Sequence, residues 1–241
     1  MAREPDYGID APRVILNLFA AGVACGFLAL LYPRFTIRQV TFTLYPGFLY
    51  SAACFLLPVV LMLVYSKAGK LRHRDRMLAK VSWTGEEMVL DVGTGRGLLL
   101  IGAAKRLTIG YATGIDIWNS EDLSGNSPTT LLENIVLEGV GGKADVKSED
   151  ARKMSFHDGT FDVVLSNLCL HNIYQQEERA QACREIARVL KPGGVAVISD
   201  YKHTREYAAD FATRGLTVEL CPLDWTGTFP PLRILVARKA A

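Results

Sequence analysis

Two stretches of this chain lack charge altogether: no Asp, Glu, Lys or Arg occurs from Val14 to Pro33 or from Gln39 to Ser66. Neither has the polar stripe of a surface helix, which argues against two ordinary amphipathic helices. The five cysteines (25, 54, 169, 183 and 221) form no Cys-x-x-Cys pair. Buried thiols in a reducing compartment are therefore expected, with no bound metal. The chain after residue 80 also lacks basic excess. Residues 1 to 80 carry ten Lys/Arg against four Asp/Glu, whereas 81 to 241 carry seventeen against twenty-one. An enzyme acting on polynucleotides concentrates Lys and Arg around its site, so no nucleic-acid partner is expected.

Residues 1 to 13, with Arg3, Glu4, Asp6, Asp10, Arg13 and two prolines, read as a short exposed tail. No signal-peptide n-region is visible and no lipobox precedes Cys25, so neither a cleaved leader nor a lipoprotein is expected. Val14 to Tyr32 is long enough, at about 1.5 Å per residue, to cross a hydrocarbon layer of roughly 30 Å. Gly47 to Tyr65 is the second span, with Tyr45, Tyr50 and Tyr65 at the expected interfaces and Pro58 as a kink. Residues 33 to 46 read as a short connection. Gly22 and Gly26 form a small-xxx-small pair that suits close helix packing, either against Ser51, Ala52 and Ala53 or against a second copy in a homodimer.

Residues 67 to 80, KAGKLRHRDRMLAK, hold six Lys/Arg and one Asp and read as a basic juxtamembrane linker. Positive residues remain cytoplasmic, so both ends of the hairpin and the following domain are expected inside, with the basic stretch against anionic headgroups. The expected organisation is 1–66 as tail and two spans, 67–80 as linker and 81–241 as one soluble domain.

From Val81 onward the pattern alternates. Strands are expected at 88–92, 112–116, 143–148, 161–166, 195–200, 217–223 and 232–237, with helices between the first six. Such a chain gives an α/β, Rossmann-like parallel sheet of seven strands, with ligands at the carboxyl ends. The Pro/Gly-rich CPLDWTGTFPP leaves no room for a crossover helix, so the last strand is expected to be antiparallel.

Within MVLDVGTGRGLLL (88–100) an apolar strand ends at Asp91 and breaks into three alternate glycines. Gly93, Gly95 and Gly97 free the loop for positive φ, and the following helix start aims unpaired N–H groups at a ligand. Leu98 stands where the GxGxxG of a dinucleotide fold requires its third glycine, which disfavours a nicotinamide-dependent oxidoreductase. Asp116 in GIDIW ends the next strand about twenty residues on, the place of a ribose-diol acceptor.

These residues resemble the class I S-adenosylmethionine-dependent methyltransferases, in particular the small-molecule branch of ubiquinone/menaquinone type. The likeness spans roughly residues 80 to 240 and rests on five ordered motifs: VLDVGTGRG, GIDIW, SEDARKMSF, FDVVLSNLCLHNI and REIARVLKPGG. It implies S-adenosylmethionine as cofactor. Asp91, Thr94 and the 93/95/97 glycines would border its methionine part, Asp116 would take the ribose hydroxyls, and Ile117 and Trp118 would flank adenine. Asp150 with Ala151 would meet the adenine amino group, and Asn167 would lie below the sulfonium. SNLC replaces the Asn/Asp-Pro-Pro-Tyr/Phe of enzymes that methylate exocyclic amines, which argues against those acceptors. LKPGG reads as a helix stop.

A base is needed for some acceptors, and His171 is the candidate. The alternative is a histidine that shapes the substrate pocket or caps the next helix. Tyr174, Asp200, Tyr201 and His203 follow as rim candidates. The reading is a two-pass membrane methyltransferase with its catalytic domain in the cytoplasm, acting on a small lipophilic acceptor. The alternative is a membrane-tethered cofactor-binding or regulatory protein without activity.

Overall fold

The computed structural model describes residues 4–241, except for the side chain of Phe35; Arg3 of the expected tail lies outside the described residues. The first charge-free stretch is a helix, α1 (Pro12–Leu31). The connection after it is a small antiparallel hairpin, β1 (Arg34–Ile37) and β2 (Val40–Thr43), with Phe35 paired to Phe42 in register. The second stretch is α2 (Tyr45–Val64), which runs on through Pro58. Gly22 packs against α2: a β-carbon there would stand 2.6 Å from Leu56, and Ala52 is buried at the same contact. Among the described residues nothing lies within 4 Å of the corresponding point on Gly26, so of the glycine pair only Gly22 makes a close contact there.

The basic stretch departs from the expected linker. It continues α2 as a π-helical turn (Tyr65–Gly69) and α3 (Lys70–Leu78), one helical run from Tyr45 to Leu78. Met77 and Leu78 are fully buried against the sheet, each worth roughly 2 kcal/mol in removed apolar surface. Lys70 and His73 are buried too, while Lys67 and Arg72 remain exposed. Helical periodicity explains the difference: Lys70, His73, Met77 and Leu78 share one face, covered by the N-terminal tail at Lys70 and by the sheet domain at the other three.

The remaining elements are β3 (Met88–Val92), α4 (Leu98–Ala104), β4 (Tyr111–Asp116), α5 (Pro128–Leu137), β5 (Ala144–Ser148), β6 (Phe161–Asn167), α6 (Gln176–Val189), β7 (Leu190–Asp200), α7 (Thr204–Thr213), β8 (Leu216–Leu220) and β9 (Arg233–Lys239). They form a seven-stranded sheet in the order β5-β4-β3-β6-β7-β9-β8, in which β9 alone runs antiparallel. Helices α3, α4 and α5 bury one face of the sheet and α6 and α7 the other. Two expectations are corrected. No helix joins β5 to β6 among the described residues, and LKPGG lies within β7, where the register against β6 shifts between Phe161 and Val163. A bulge of this kind tolerates Pro192, which a regular central ladder would reject.

The N-terminal tail is not free either. Residues 6 to 11 lie across the loop before α5 and across α5 itself: Asn134 Nδ2 donates to the Asp6 carbonyl (2.9 Å), the Tyr7 hydroxyl donates to Glu138 (2.5 Å), and Ile9 N donates to Ser124 Oγ (2.8 Å). Buried Lys70 donates to the carbonyls of Tyr7 and Gly8, at 2.7 Å each, and pairs with Asp10 at 3.5 Å. The hairpin is thus tied to the sheet domain at both of its ends.

Candidate active site

The glycine loop is built by close approaches. Gly93 (φ +70) has Cys169 where a β-carbon would go, which brings the loop after β3 against the loop after β6. Gly97 (φ +87) turns the chain into α4, and Leu131 occupies the space of its missing side chain. Gly95 N donates to Asp116 Oδ2 at 2.8 Å, which ties the loop to the end of β4.

Asp91 is 1% exposed, and its Oδ2 accepts from Thr94 Oγ1 and from the Leu100 amide, both at 2.9 Å. Burial raises its carboxyl to about 7 in spite of those two hydrogen bonds, and the Asp116 charge adds to the rise. Asp116 Oδ1 accepts from Trp118 N (2.6 Å) and Asn126 Nδ2 (3.3 Å). Two carboxylates on one wall make a site that favours a cation, and carboxylate oxygens keep lone pairs for a further donor.

All the predicted cofactor residues except Gly97 and Trp118 line one cavity of about 760 Å³. Gly97 serves the turn alone. The Trp118 indole is held elsewhere, with Nε1 donating to Ser148 Oγ at 2.7 Å and the ring against the core. Ile117 is left on the cavity wall, largely exposed. Asp150 is on the wall but engaged: both of its oxygens accept from Arg152, which also reaches Glu178 and holds the Asp150 carboxyl below its usual range. Asn167 Oδ1 is buried on the same wall without a hydrogen-bond partner among the described residues. Open glycine backbone and paired carboxylates fit a compact cationic nucleoside such as S-adenosylmethionine.

His171 lies in a single 3-10 turn after β6 and lines the cavity. Its Nδ1 stands 2.8 Å from Asp200 Oδ1, and its backbone N donates to Asp200 Oδ2 at 3.1 Å. The Tyr201 ring packs edge-on to it at 4.7 Å. Of the rim candidates, Tyr174 and Tyr201 line the cavity, Asp200 is buried behind His171, and His203 turns away toward Glu206.

Several lining residues had no signal in the glycine motifs. Leu18 of α1 and Pro58 and Met62 of α2 form one wall, and Tyr65, expected as an interface aromatic, is 4% exposed at the cavity. Their spacing of four and three residues marks a single helix face, a pattern that only gains meaning once that face has an opposite wall.

A family model described as "Methyltransferase domain" matches residues 90–198. The chain is 34% identical over 135 residues to the ribosomal protein L11 methyltransferase of Syntrophotalea carbinolica, covering 55% of this chain and 39% of that protein. It is 32% identical over 128 residues to the demethylmenaquinone methyltransferase of Tropheryma whipplei, covering 53% and 47%. The chain thus spans about half the length, or less, of these relatives. A crystal structure of an S-adenosylmethionine-dependent methyltransferase from Aquifex aeolicus superposes with a TM-score of 0.55 at 20% identity, over 70% of this chain and 90% of that one. Residues 90–198 thus match the methyltransferase-domain family, within a chain that shares the fold of a solved S-adenosylmethionine-dependent methyltransferase.

Proposed function

We propose that the whole chain transfers a methyl group from S-adenosylmethionine to a small lipophilic acceptor, and that it does so anchored in a membrane by α1 and α2 with the catalytic domain on the cytoplasmic side. One observation carries the reading: the cavity lined by the glycine loop, Asp116 and Asn167 is also lined by Leu18, Pro58 and Met62 of the two apolar helices. The span windows of α1 and α2 are only 11% and 17% buried, so these helices lack the cover that a soluble core would give. The basic residues that follow α2 support the inward orientation. With Lys70 and His73 buried, Lys67 and Arg72 remain for headgroups, at about 1 kcal/mol each. The two relatives named above differ in the acceptor their names give, ribosomal protein L11 and demethylmenaquinone, so the acceptor is argued from the cavity and not from kinship.

The cofactor, when bound, supplies a carbon already activated by its sulfonium. This chain's residues align and dehydrate. Asp91 and Asp116 favour the cation, Asn167 orients what lies at the end of β6, and the Leu18/Pro58/Met62 wall excludes water. His171, steadied by Asp200, accepts a proton where the acceptor must lose one.

Calorimetry of the full chain in detergent with S-adenosylmethionine, followed by transfer of labelled methyl groups into a lipid extract, tests the reading. Binding and lipid labelling are expected. Binding without transfer to any acceptor favours the regulatory alternative, and no binding up to millimolar cofactor sinks the enzyme reading.

A further inference from the structure

We propose that Tyr65, contributed by the helical hairpin, is an acceptor-binding residue: its hydroxyl and the Asn167 carboxamide hold the protic head of a long-chain amphiphile whose tail lies between α1 and α2. The inference rests on the methyltransferase reading above and names the acceptor's seat within it.

Tyr65 is 4% exposed, yet its Oη has no hydrogen-bond partner among the described residues. A buried phenol normally finds one, and leaving it unmet is unfavourable. The Asn167 carboxamide lies beside that hydroxyl, and its Oδ1 likewise has no hydrogen bond of normal geometry among the described residues. Two neighbouring oxygens without a well-formed hydrogen bond, on residues that line one cavity, are what a ligand head inserted between them would satisfy. Asn167 Oδ1 only accepts, whereas the Tyr65 hydroxyl donates and accepts, so a hydroxyl head satisfies both. His171 lines the same end, where a base is useful to such a head.

The tail direction follows from the helix. Pro58, Met62 and Tyr65 share one face of the helical run, so an apolar wall, which Leu18 of α1 joins, leads away from the hydroxyl for about 10 Å. The helix widens into a π turn that begins at Tyr65, an irregularity that re-aims side chains and recurs at functional sites. A polar end beside the cofactor cradle and an apolar end inside an exposed hydrophobic hairpin describe a single-chain amphiphile drawn from a bilayer.

The test uses the full chain in phosphatidylcholine nanodiscs with two photoactivatable hexadecanols, one carrying its diazirine beside the hydroxyl and one at the far end. The first is expected to label Tyr65 or residues 167–171, and the second Leu18 and Met62. Paired Leu18→Trp and Met62→Trp substitutions should fill the wall and lower head labelling about tenfold, the effect of losing roughly 1.4 kcal/mol. Tyr65→Phe, which keeps the ring, should lower it similarly while S-adenosylmethionine affinity stays within about twofold. Labelling confined to outward residues such as Leu30 and Leu57 overturns the proposal. So does equal labelling by a diazirine hexadecane without the hydroxyl, or loss of cofactor binding together with labelling in Tyr65→Phe. Failure of the wild-type chain to bind cofactor while Tyr65 is labelled would instead remove the methyltransferase reading and leave the lipid seat standing.

Discussion

The Cys169 side chain fills the space that a β-carbon on Gly93 would need, so the loops after β3 and β6 are sealed against each other at the floor of the cavity. Gly93→Ala should therefore both strain a φ of +70 and displace Cys169. A loss of about 1–3 kcal/mol is expected, read as a lowered urea midpoint with unchanged slope. Gly93→Ala combined with Cys169→Gly should recover part of it; no recovery would mean that backbone strain alone sets the cost.

His73 and Asp91 should make opposite contributions to acid stability. Burial lowers the His73 imidazole to about 4, and it stays neutral beside Ser199 Oγ at 2.7 Å. The unfolded chain binds that proton first, so His73 removes stability as pH falls from about 6.5 toward 4. Asp91, raised to about 7, works the other way: the folded state binds the proton first, so stability grows as pH falls from about 7 toward 4. The wild-type protein should show a shallow pH dependence across this window. Asp91→Asn should expose a fall on acidification and His73→Gln a rise, each up to about 1.4 kcal/mol per pH unit. Parallel pH curves for the two variants would contradict this assignment.

Cofactor affinity should separate two neighbours that the sequence grouped together. Asp116→Ala removes the acceptor of Gly95 N and a cavity-wall carboxylate, and it should weaken S-adenosylmethionine binding by about tenfold or more. Trp118→Ala lies off the cavity and should shift the constant by no more than about twofold, since a change below roughly 0.4 kcal/mol is all that lost remote packing predicts. A larger effect from Trp118 than from Asp116 would restore the indole to the adenine site.

Much of the sheet and the glycine loop is legible in the chain because their signals are local. An apolar run ending at Asp91, three glycines in alternation and a second acid at 116 each state their geometry within a few residues. The β1/β2 hairpin carried its own alternation in RFTI and VTFT but lay between two stronger apolar runs and read as a connection. What stayed hidden depends on distant partners. Asp6 meets Asn134 across 128 positions and His73 meets Ser199 across 126, and no spacing rule reaches that far. Tyr65 illustrates the same limit: an aromatic at the end of an apolar helix signals a membrane interface, and only the wall opposite turns it inward.

Lys70 should be the bolt that holds the N-terminal strap. Its ammonium is desolvated, which lowers its pKa, and it satisfies two backbone carbonyls and Asp10. Lys70→Met keeps the volume and orphans those acceptors, at about 1–3 kcal/mol for each buried group left unmet. Limited proteolysis should then cut within residues 4 to 11 far sooner than in the wild type, while β3 to β9 stay protected. Unchanged cleavage would show that Tyr7 and Asn134 hold the strap unaided.

The strap and α3 leave the sheet domain side by side and enter the same helical hairpin. A body hung from one flexible cord can spin and tilt, whereas one hung from two adjacent stiff posts has little rotation left. If the hairpin stands in a lipid sheet, the mouth of the cavity keeps a constant bearing toward that sheet. The search for an acceptor then becomes lateral diffusion in two dimensions past an already aligned opening, with no orientational step between encounter and entry.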